Sequence, residues 1–204
     1  MKINLKSKTK KIFFVYIDDQ LWGTLPEGVL HFFSISVVAE SLLPDARKAE
    51  LIAEIEKYNW QKLLDFIAYR ERSVWECQYF LHGQSLPSQL AEKLITTARK
   101  NNYVNDRRFA EMYVQDLLEK QKSRIQIKAK LLEKHIASEL AEEVLSEFMT
   151  EDRKAELLDA NYQKAVNRFS QIPPEKRREK ILNYLSGKGF SVSDVLDKMR
   201  KEGY

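Results

Sequence analysis

The sequence of 204 residues has few of the residue types that mark secreted or membrane proteins. One cysteine, Cys77, excludes an internal disulfide and is typical of the reducing cytoplasm, where we expect the protein to reside. No apolar run reaches the roughly 18 residues of a membrane span. The first apolar run, residues 12–15, is too short for a signal peptide and is soon followed by Asp18. Glycine and proline are scarce, which favours a mostly helical chain.

The sequence also lacks the motifs of catalytic and ligand-binding sites. No glycine-rich phosphate loop is present. The three histidines are His31, His82 and His135. They lie about fifty residues apart and have no cysteine or second histidine at metal-ligand spacing. Cys77 has no adjacent base, and Asp18 with Asp19 is better explained as a turn than as a catalytic pair. We therefore expect no enzyme, no metal and no cofactor.

The N-terminal region predicts a small β-hairpin followed by helices. Residues 1–10 are polar and basic and are expected to fray. Two runs rich in β-branched and aromatic residues, 11–17 and 21–25, flank a polar turn and predict two strands. A lone hairpin is marginally stable, so it should pack on the helix that follows Pro26. The predicted hairpin and helix region spans residues 1–58.

Three internal copies follow this region, with about fifty residues between equivalent positions. In each copy a first position is followed by a leucine and two further apolar residues at fixed spacing. The positions are Ser73, Leu81, Leu86 and Ile95, then Ser123, Leu131, Ile136 and Leu145, then Arg177, Leu185, Phe190 and Met199. The two serines, with Glu76 and Gln126 three residues later, predict helix-capping boxes, and Pro173-Pro174 takes their place in the third copy.

Each copy has apolar stripes at three places, which predicts three helices. One such unit buries little surface alone, so neighbouring copies should stack and share a core. We predict boundaries at residues 59–106, 107–150 and 151–204, with nine helices after the N-terminal region.

The aromatic residues of the first copy allow two interpretations. Trp60, Trp75, Tyr79 and Phe80 could form a base-stacking platform. Their helical spacing favours packing in the core instead. Tyr103 and Phe109 are likewise expected to wedge between helices.

The second copy carries a resemblance to a known family. Residues 103–136 begin with Asn105-Asp106, which favours a helix start, and continue through an amphipathic helix into a basic one. This order resembles the RecX family, regulators of the bacterial recombinase RecA. The residues that carry the resemblance are Tyr103, Asn105, Asp106, Phe109, Ala110, Tyr113, Val114, Ile127, Lys130, Leu131 and Ile136.

The resemblance implies a mostly α protein of tandem three-helix repeats in an elongated, curved array. It implies a non-enzymatic, monomeric regulator that binds RecA and the RecA–DNA filament and mainly inhibits recombinase and co-protease activity. Single- or double-stranded DNA would be a weaker partner, and no membrane is involved. Two alternatives stay open: a helical module that binds DNA or RNA directly, and a structural repeat adaptor that needs neither partner.

Basic residues recur near the same helix start in every copy and form the predicted partner-facing surface. They are Arg70 and Arg72, then Lys122, Arg124, Lys128, Lys130 and Lys134, then Lys176, Arg177, Arg178 and Lys180. A stack of repeats would line them along one ridge, suited to many weak contacts with a long acidic partner. The acidic stretch 139–152 would face a basic part of the same partner.

Overall fold

A computed structural model describes residues 1–203, which form two compact units, Met1–Asn105 and Asp106–Tyr204. The strands are β1 (Lys2–Thr9), β2 (Ile12–Ile17), β3 (Gln20–Pro26) and β4 (Ser41–Leu42). The helices are α1 (Glu27–Phe32), α2 (Lys48–Ala68), α3 (Val74–Gly83), α4 (Ser88–Lys100), α5 (Asp106–Glu119), α6 (Arg124–Glu133), α7 (Ser138–Phe148), α8 (Glu151–Arg168), α9 (Pro174–Gly187) and α10 (Val192–Lys201). A short 3₁₀ turn, Asp45–Arg47, precedes α2. The predicted mostly helical class is confirmed, and nine of the ten described helices follow β4.

The N-terminal sheet is larger than the predicted hairpin. Its four antiparallel strands lie in the order β3-β2-β1-β4. The expectation that residues 1–10 fray was wrong, because Lys2–Thr9 forms the strand β1 and pairs with β2 along its length. The polar turn is confirmed: Asp18 and Asp19 both have positive φ, as a two-residue type I′ hairpin requires.

The inner face of this sheet is stabilised by burial against α1 and α2. Ile3, Val15 and Leu25 are fully buried and pack in one cluster with Leu30 and Ile55 of the helices. Lysines alternate with apolar residues along β1, so the strand has one buried face although its composition is polar. A sequence average over residues 1–10 conceals this alternation.

Helix α2 runs from the N-terminal region into the first repeat, and the predicted boundary between residues 58 and 59 falls within it. The buried amide of Asn59 donates to the carbonyl oxygens of Ile55 and Thr24, at 2.7 and 3.3 Å. This side chain therefore ties α2 to strand β3.

The second helix of each repeat, α3, α6 and α9, ends in the same way. The register leucines Leu81, Leu131 and Leu185 are all fully buried. Four residues after each leucine the chain takes a left-handed conformation, at Ser85, His135 and Gly189. In the second and third repeats the amide of the next residue donates to the carbonyl of the leucine, as in a Schellman motif. The shared ending supports the register deduced from the sequence.

The starts of these helices differ in the third repeat. Ser73 and Ser123 are N-caps whose hydroxyls accept from the amides of Glu76 and Gln126, and Ser123 has the complete capping box. In α9 the proline pair starts the helix early, so Arg177 lies inside the first turn and does not cap it.

Two aromatic residues predicted to pack between helices lie at the surface, Tyr79 and Tyr103, and Tyr103 is 49% exposed. The ring of Tyr79 is 69% exposed and stacks on Trp75 with 5.6 Å between centroids. Phe80 faces the core and stacks on Phe66. Tyr79 was misassigned because helical spacing alone does not tell which of two adjacent aromatic residues faces inward.

Within the second unit, repeats two and three meet at a small joint. The Ser123 hydroxyl donates to the carbonyl of Lys188 at 2.5 Å. The Asn161 amide donates to the carbonyls of Leu157 and Gln121, and its oxygen accepts from Lys188 Nζ at 2.9 Å. Asn161 thus joins α8 to the end of α5, as Asn59 joins α2 to β3. None of the described helices is long and apolar enough to cross a membrane.

Candidate interaction surface

The basic face of α6 is partly neutralised by its own repeat. Arg124 and Lys128 both donate to Glu142 of α7, and the Lys128 bond measures 2.5 Å. The bond from Lys128 and the charge of Arg124 lower the pKa of Glu142 below its ordinary value. Lys130 pairs with Glu133 within α6 at 2.7 Å. These three cations are consequently less available to a partner than their number suggests.

The acidic stretch after α6 is engaged in the same way. Arg107 of α5 pairs with Glu111, with Glu143 and with Glu147, at 2.9, 2.7 and 2.5 Å. The carboxylates raise the pKa of the Arg107 guanidinium. The sequence separates positive residues in α6 from negative residues in α7. In the structure, many of these charges form ion pairs among α5, α6 and α7, including those of Glu142.

The third repeat presents cations without carboxylate partners. Lys176, Arg178 and Lys180 are exposed on α9, and no ion pair joins them to any residue among 1–203. Arg177 is different, because its guanidinium donates to the carbonyl oxygens of Ser170 and Ile172 and closes the loop before α9. Arg177 is thus used in the fold, while its three neighbours keep their charge facing solvent.

The first repeat uses both of its predicted cations internally. Arg70 forms a bidentate pair with Glu76, at 3.0 and 3.1 Å. Arg72 stacks on the Phe66 ring at 4.0 Å and donates to the Phe66 carbonyl. Burial lowers the pKa of Arg72. Both arginines fix the connection between α2 and α3.

The remaining two predicted residues lie at the ends of α6. Lys122 is half-buried just before the Ser123 cap, and within residues 1–203 it pairs with no carboxylate. Lys134 is the C-cap residue, and its amide donates to the carbonyl of Leu131. Sorted by environment, the predicted cations without a carboxylate partner in the described chain are Lys122, Lys176, Arg178 and Lys180.

Sequence reasoning missed a cationic cluster around Tyr184 on α9. Arg168 at the end of α8 lies 5.2 Å from the Tyr184 ring centroid, and Lys188 Nζ lies 4.6 Å from it. The bond from Lys188 lowers the pKa of the Tyr184 hydroxyl. Tyr184 follows Lys180 by four residues, so both lie on one face of α9. Arg168 comes from another helix, so only the packing of α8 on α9 reveals the cluster.

The second unit also contains an open cleft of about 540 Å³ among α6, α8 and α10. Leu157, Leu158 and Phe190 form part of its wall. Charges of both signs surround it, and Lys198 pairs with Asp159 at 2.9 Å and with Glu202 at 2.8 Å. Because the charges are balanced, the cleft has no evident preference for an anion or a cation.

The described residues contain no metal-binding cluster of histidine, cysteine or carboxylate side chains. Cys77 is fully buried in the core of the first repeat. Between residues 1 and 203 the candidate sites are therefore charged and aromatic surfaces.

Comparison with known proteins points to one family. Residues 105–145 match the model of the second three-helix domain of RecX. The regulatory protein RecX of Streptococcus gordonii is 29% identical over 201 residues, covering 96% of this chain and 74% of the relative. RecX of Clostridium acetobutylicum is 24% identical over 207 residues, covering 98% of this chain and 94% of the relative.

Solved structures agree in fold. A crystal structure of a regulatory protein RecX covers 98% of both chains with a TM-score of 0.69 at 23% identity. RecX from Lactobacillus salivarius covers 72% of this chain and 95% of its own, with a TM-score of 0.64 at 25% identity. The matched second repeat, the relatives aligned along nearly the whole chain and the shared fold together make this protein similar to the regulatory proteins named RecX.

Proposed function

We propose that this protein binds the RecA–DNA filament and restrains the recombinase and co-protease activities of RecA. The proposal is supported by the recurrence of cations at the second helix of the three-helix repeats, in a chain similar to the regulatory proteins named RecX. A tandem array offers several weak contacts to a partner that itself repeats. Such contacts favour an assembled filament over a free subunit, because each further contact forms at a high effective concentration.

The structural environment of each cation determines whether it is available to contact the filament. Lys122, Lys176, Arg178 and Lys180 keep a net positive charge toward a partner. Arg124 and Lys128 serve first to hold α6 against α7 through Glu142. Replacing those two with glutamate would place like charges beside Glu142, so a loss of activity could reflect a damaged fold.

The test therefore uses the cations without carboxylate partners. Inhibition of RecA-driven DNA strand exchange is measured for the unchanged protein and for the combined variant Lys122→Gln, Lys176→Gln, Arg178→Gln and Lys180→Gln. We expect inhibition to require at least tenfold more of the variant, which corresponds to about 1.4 kcal/mol of binding free energy. The matched control removes four exposed charges elsewhere, with Arg99→Gln, Lys100→Gln, Lys164→Gln and Lys201→Gln.

A pull-down with RecA, with and without single-stranded DNA, complements this assay. Preferential capture of the DNA-bound filament supports the proposal. Equal inhibition by the unchanged protein and the variant, with unchanged circular dichroism, would remove these residues from the contact. Absence of any RecA capture would reject the function itself.

A further inference from the structure

The β1–β2 hairpin of the N-terminal unit carries a second concentration of positive charge. Five of the first eleven residues are lysines: Lys2, Lys6, Lys8, Lys10 and Lys11. Lys10 and Lys11 form the two-residue connection between Thr9 and Ile12, at the tip of the hairpin. The structure therefore places two of these five charges at the tip of a paired hairpin.

Charge along the hairpin is divided between its two ends. Acidic residues cluster at the end opposite the tip, where Asp45 binds the N-terminal ammonium at 2.6 Å and Glu40 binds Lys2 at 2.9 Å. Asp18 and Asp19 lie at the same end, in the turn between β2 and β3. Lys10 and Lys11 at the tip, and Lys6 midway along β1 opposite Phe14, are exposed, and no carboxylate of residues 1–203 pairs with them. The acidic residue next to the tip is Glu27, whose amide donates to the Lys11 carbonyl at 3.0 Å and whose carboxylate contacts His31 at 3.6 Å.

Aromatic rings hold two of these lysines in place without neutralising them. Lys6 Nζ lies 5.0 Å from the centroid of the Tyr16 ring, and Lys8 Nζ lies 5.4 Å from that of Phe14. A ring attracts an ammonium group through its quadrupole but carries no net charge. Both lysines therefore keep their positive charge, and their electrostatic field extends into solvent.

Lys8 also anchors the hairpin to the first repeat. Its ammonium donates to the Gly83 carbonyl at 3.0 Å and to Gln84 Oε1 at 2.9 Å, both at the end of α3. These partners are neutral, so this contact likewise adds no negative charge. Burial lowers the pKa of Lys8.

We infer that the hairpin tip is an interaction surface for the phosphate backbone of a nucleic-acid strand. Lysine ammonium groups are compact point charges that bind phosphates without requiring a planar partner. A lysine lies over each of the partly buried Phe14 and Tyr16 rings, so this surface offers cationic groups ahead of aromatic faces. The contact should consequently depend on charge and ionic strength and not on base identity.

This inference is independent of the function proposed above, because it requires no RecA. The free side of β1 admits another explanation for the lysines. In residues 1–203, β4 pairs only with Lys2 and Ile3, so the rest of β1 is an open edge that lysines protect against association with another strand. Edge protection predicts no affinity for nucleic acid, and binding measurements separate the two explanations.

The experiment measures binding of the full chain to fluorescent oligothymidylate and oligoadenylate by anisotropy over a range of salt concentrations. The variant is Lys6→Gln, Lys10→Gln and Lys11→Gln, and a second variant places arginine at the same three positions to keep the charge. A control removes three charges at exposed sites elsewhere, with Lys57→Gln, Lys100→Gln and Lys164→Gln.

We expect similar affinity of the unchanged protein for both oligonucleotides and at least tenfold weaker binding by the glutamine variant. Each phosphate contact on a single strand contributes about 0.7 to the slope of log affinity against log salt, so three lost contacts lower that slope by about 2. The arginine variant should retain binding. The inference is overturned if the glutamine variant and the control bind alike, or if the unchanged protein binds neither oligonucleotide at low salt.

Discussion

At the residue scale, two buried asparagines connect one structural element to another. The side-chain amides of Asn59 and Asn161 each donate to the carbonyl oxygen four residues earlier. Each also donates to a carbonyl oxygen in an earlier part of the chain, that of Thr24 or Gln121. Each caps no helix end and lies mid-helix, where asparagine is a modest helix former. Their hydrogen bonds across elements compensate for that cost, because a buried amide must find partners.

Gly189 is the residue whose replacement should most sharply test the joint between repeats two and three. Its φ is +89°, and an added Cβ would lie 2.9 Å from Ile125 Cβ and 3.3 Å from Ser123 Oγ. We expect Gly189→Ala to lower the free energy of unfolding by about 2–3 kcal/mol, through left-handed strain and overpacking together. Chemical denaturation followed by circular dichroism gives the value.

Gly203→Ala provides the matched control for this change. Gly203 also has a left-handed φ, +82°, but no atom lies within 4 Å of an added Cβ. Gly203→Ala should lower the free energy of unfolding by no more than about 1 kcal/mol, because it shares only the backbone strain with Gly189→Ala. Equal effects of the two substitutions would show that the close approach to Ile125 contributes nothing.

At the element scale, the pairing between α6 and α7 depends on the ionisation of one carboxylate. Lys128 and Arg124 hold the pKa of Glu142 below its ordinary value of 4.5. A lowered folded-state pKa contributes stability that is fully present above about pH 4.5 and is lost as the pH falls through the lowered value. Glu142→Gln should therefore reduce the melting temperature at pH 7 and have little effect near pH 2.

Thermal unfolding at several pH values measures this difference between the unchanged protein and Glu142→Gln. Glu139→Gln is the control, since Glu139 is an exposed residue in the first turn of the same helix. Glu142 is itself partly exposed, so salt should diminish its effect. A Glu142→Gln effect that stays constant from pH 7 to pH 2 would contradict the assignment of its stabilising role to charge.

At the scale of the whole molecule, the two proposed surfaces lie in different compact units. The tip lysines belong to Met1–Asn105, and Lys122 and the exposed cations of α9 belong to Asp106–Tyr204. We therefore expect their effects to be separable in the full chain. Replacing Lys6, Lys10 and Lys11 with glutamine should weaken binding to bare DNA. The effect should be larger than that of replacing Lys176, Arg178 and Lys180 with glutamine.

Both variants and their combination are compared for DNA affinity and for inhibition of RecA. Independent sites contribute additively, so the combined effect on DNA binding free energy should equal the sum of the two within about 0.5 kcal/mol. A coupling well above that value would mean that the two surfaces act as one site.

The sequence predicted the elements where a local pattern reports on burial. The register leucines Leu81, Leu131 and Leu185 are buried as expected, and Ser123 caps α6 with Gln126 as its spacing indicated. The strand β1 was missed because its lysines dominate its composition, although Ile3 alternates with them on the inner face. The prediction for Tyr79 was wrong for a related reason. Helical spacing shows which residues share a face, but not whether that face is buried or exposed.

The sequence by itself determined the helical class, the repeat register and the resemblance to RecX proteins, because these depend on local hydrophobic periodicity, capping residues and the order of motifs. Tertiary structure alone decided which charges remain available. Glu142 partly compensates the charges of Arg124 and Lys128, Glu76 pairs with Arg70, and Lys6 lies above a neutral ring. An ion pair forms between side chains that folding brings together, and sequence composition does not record that distance.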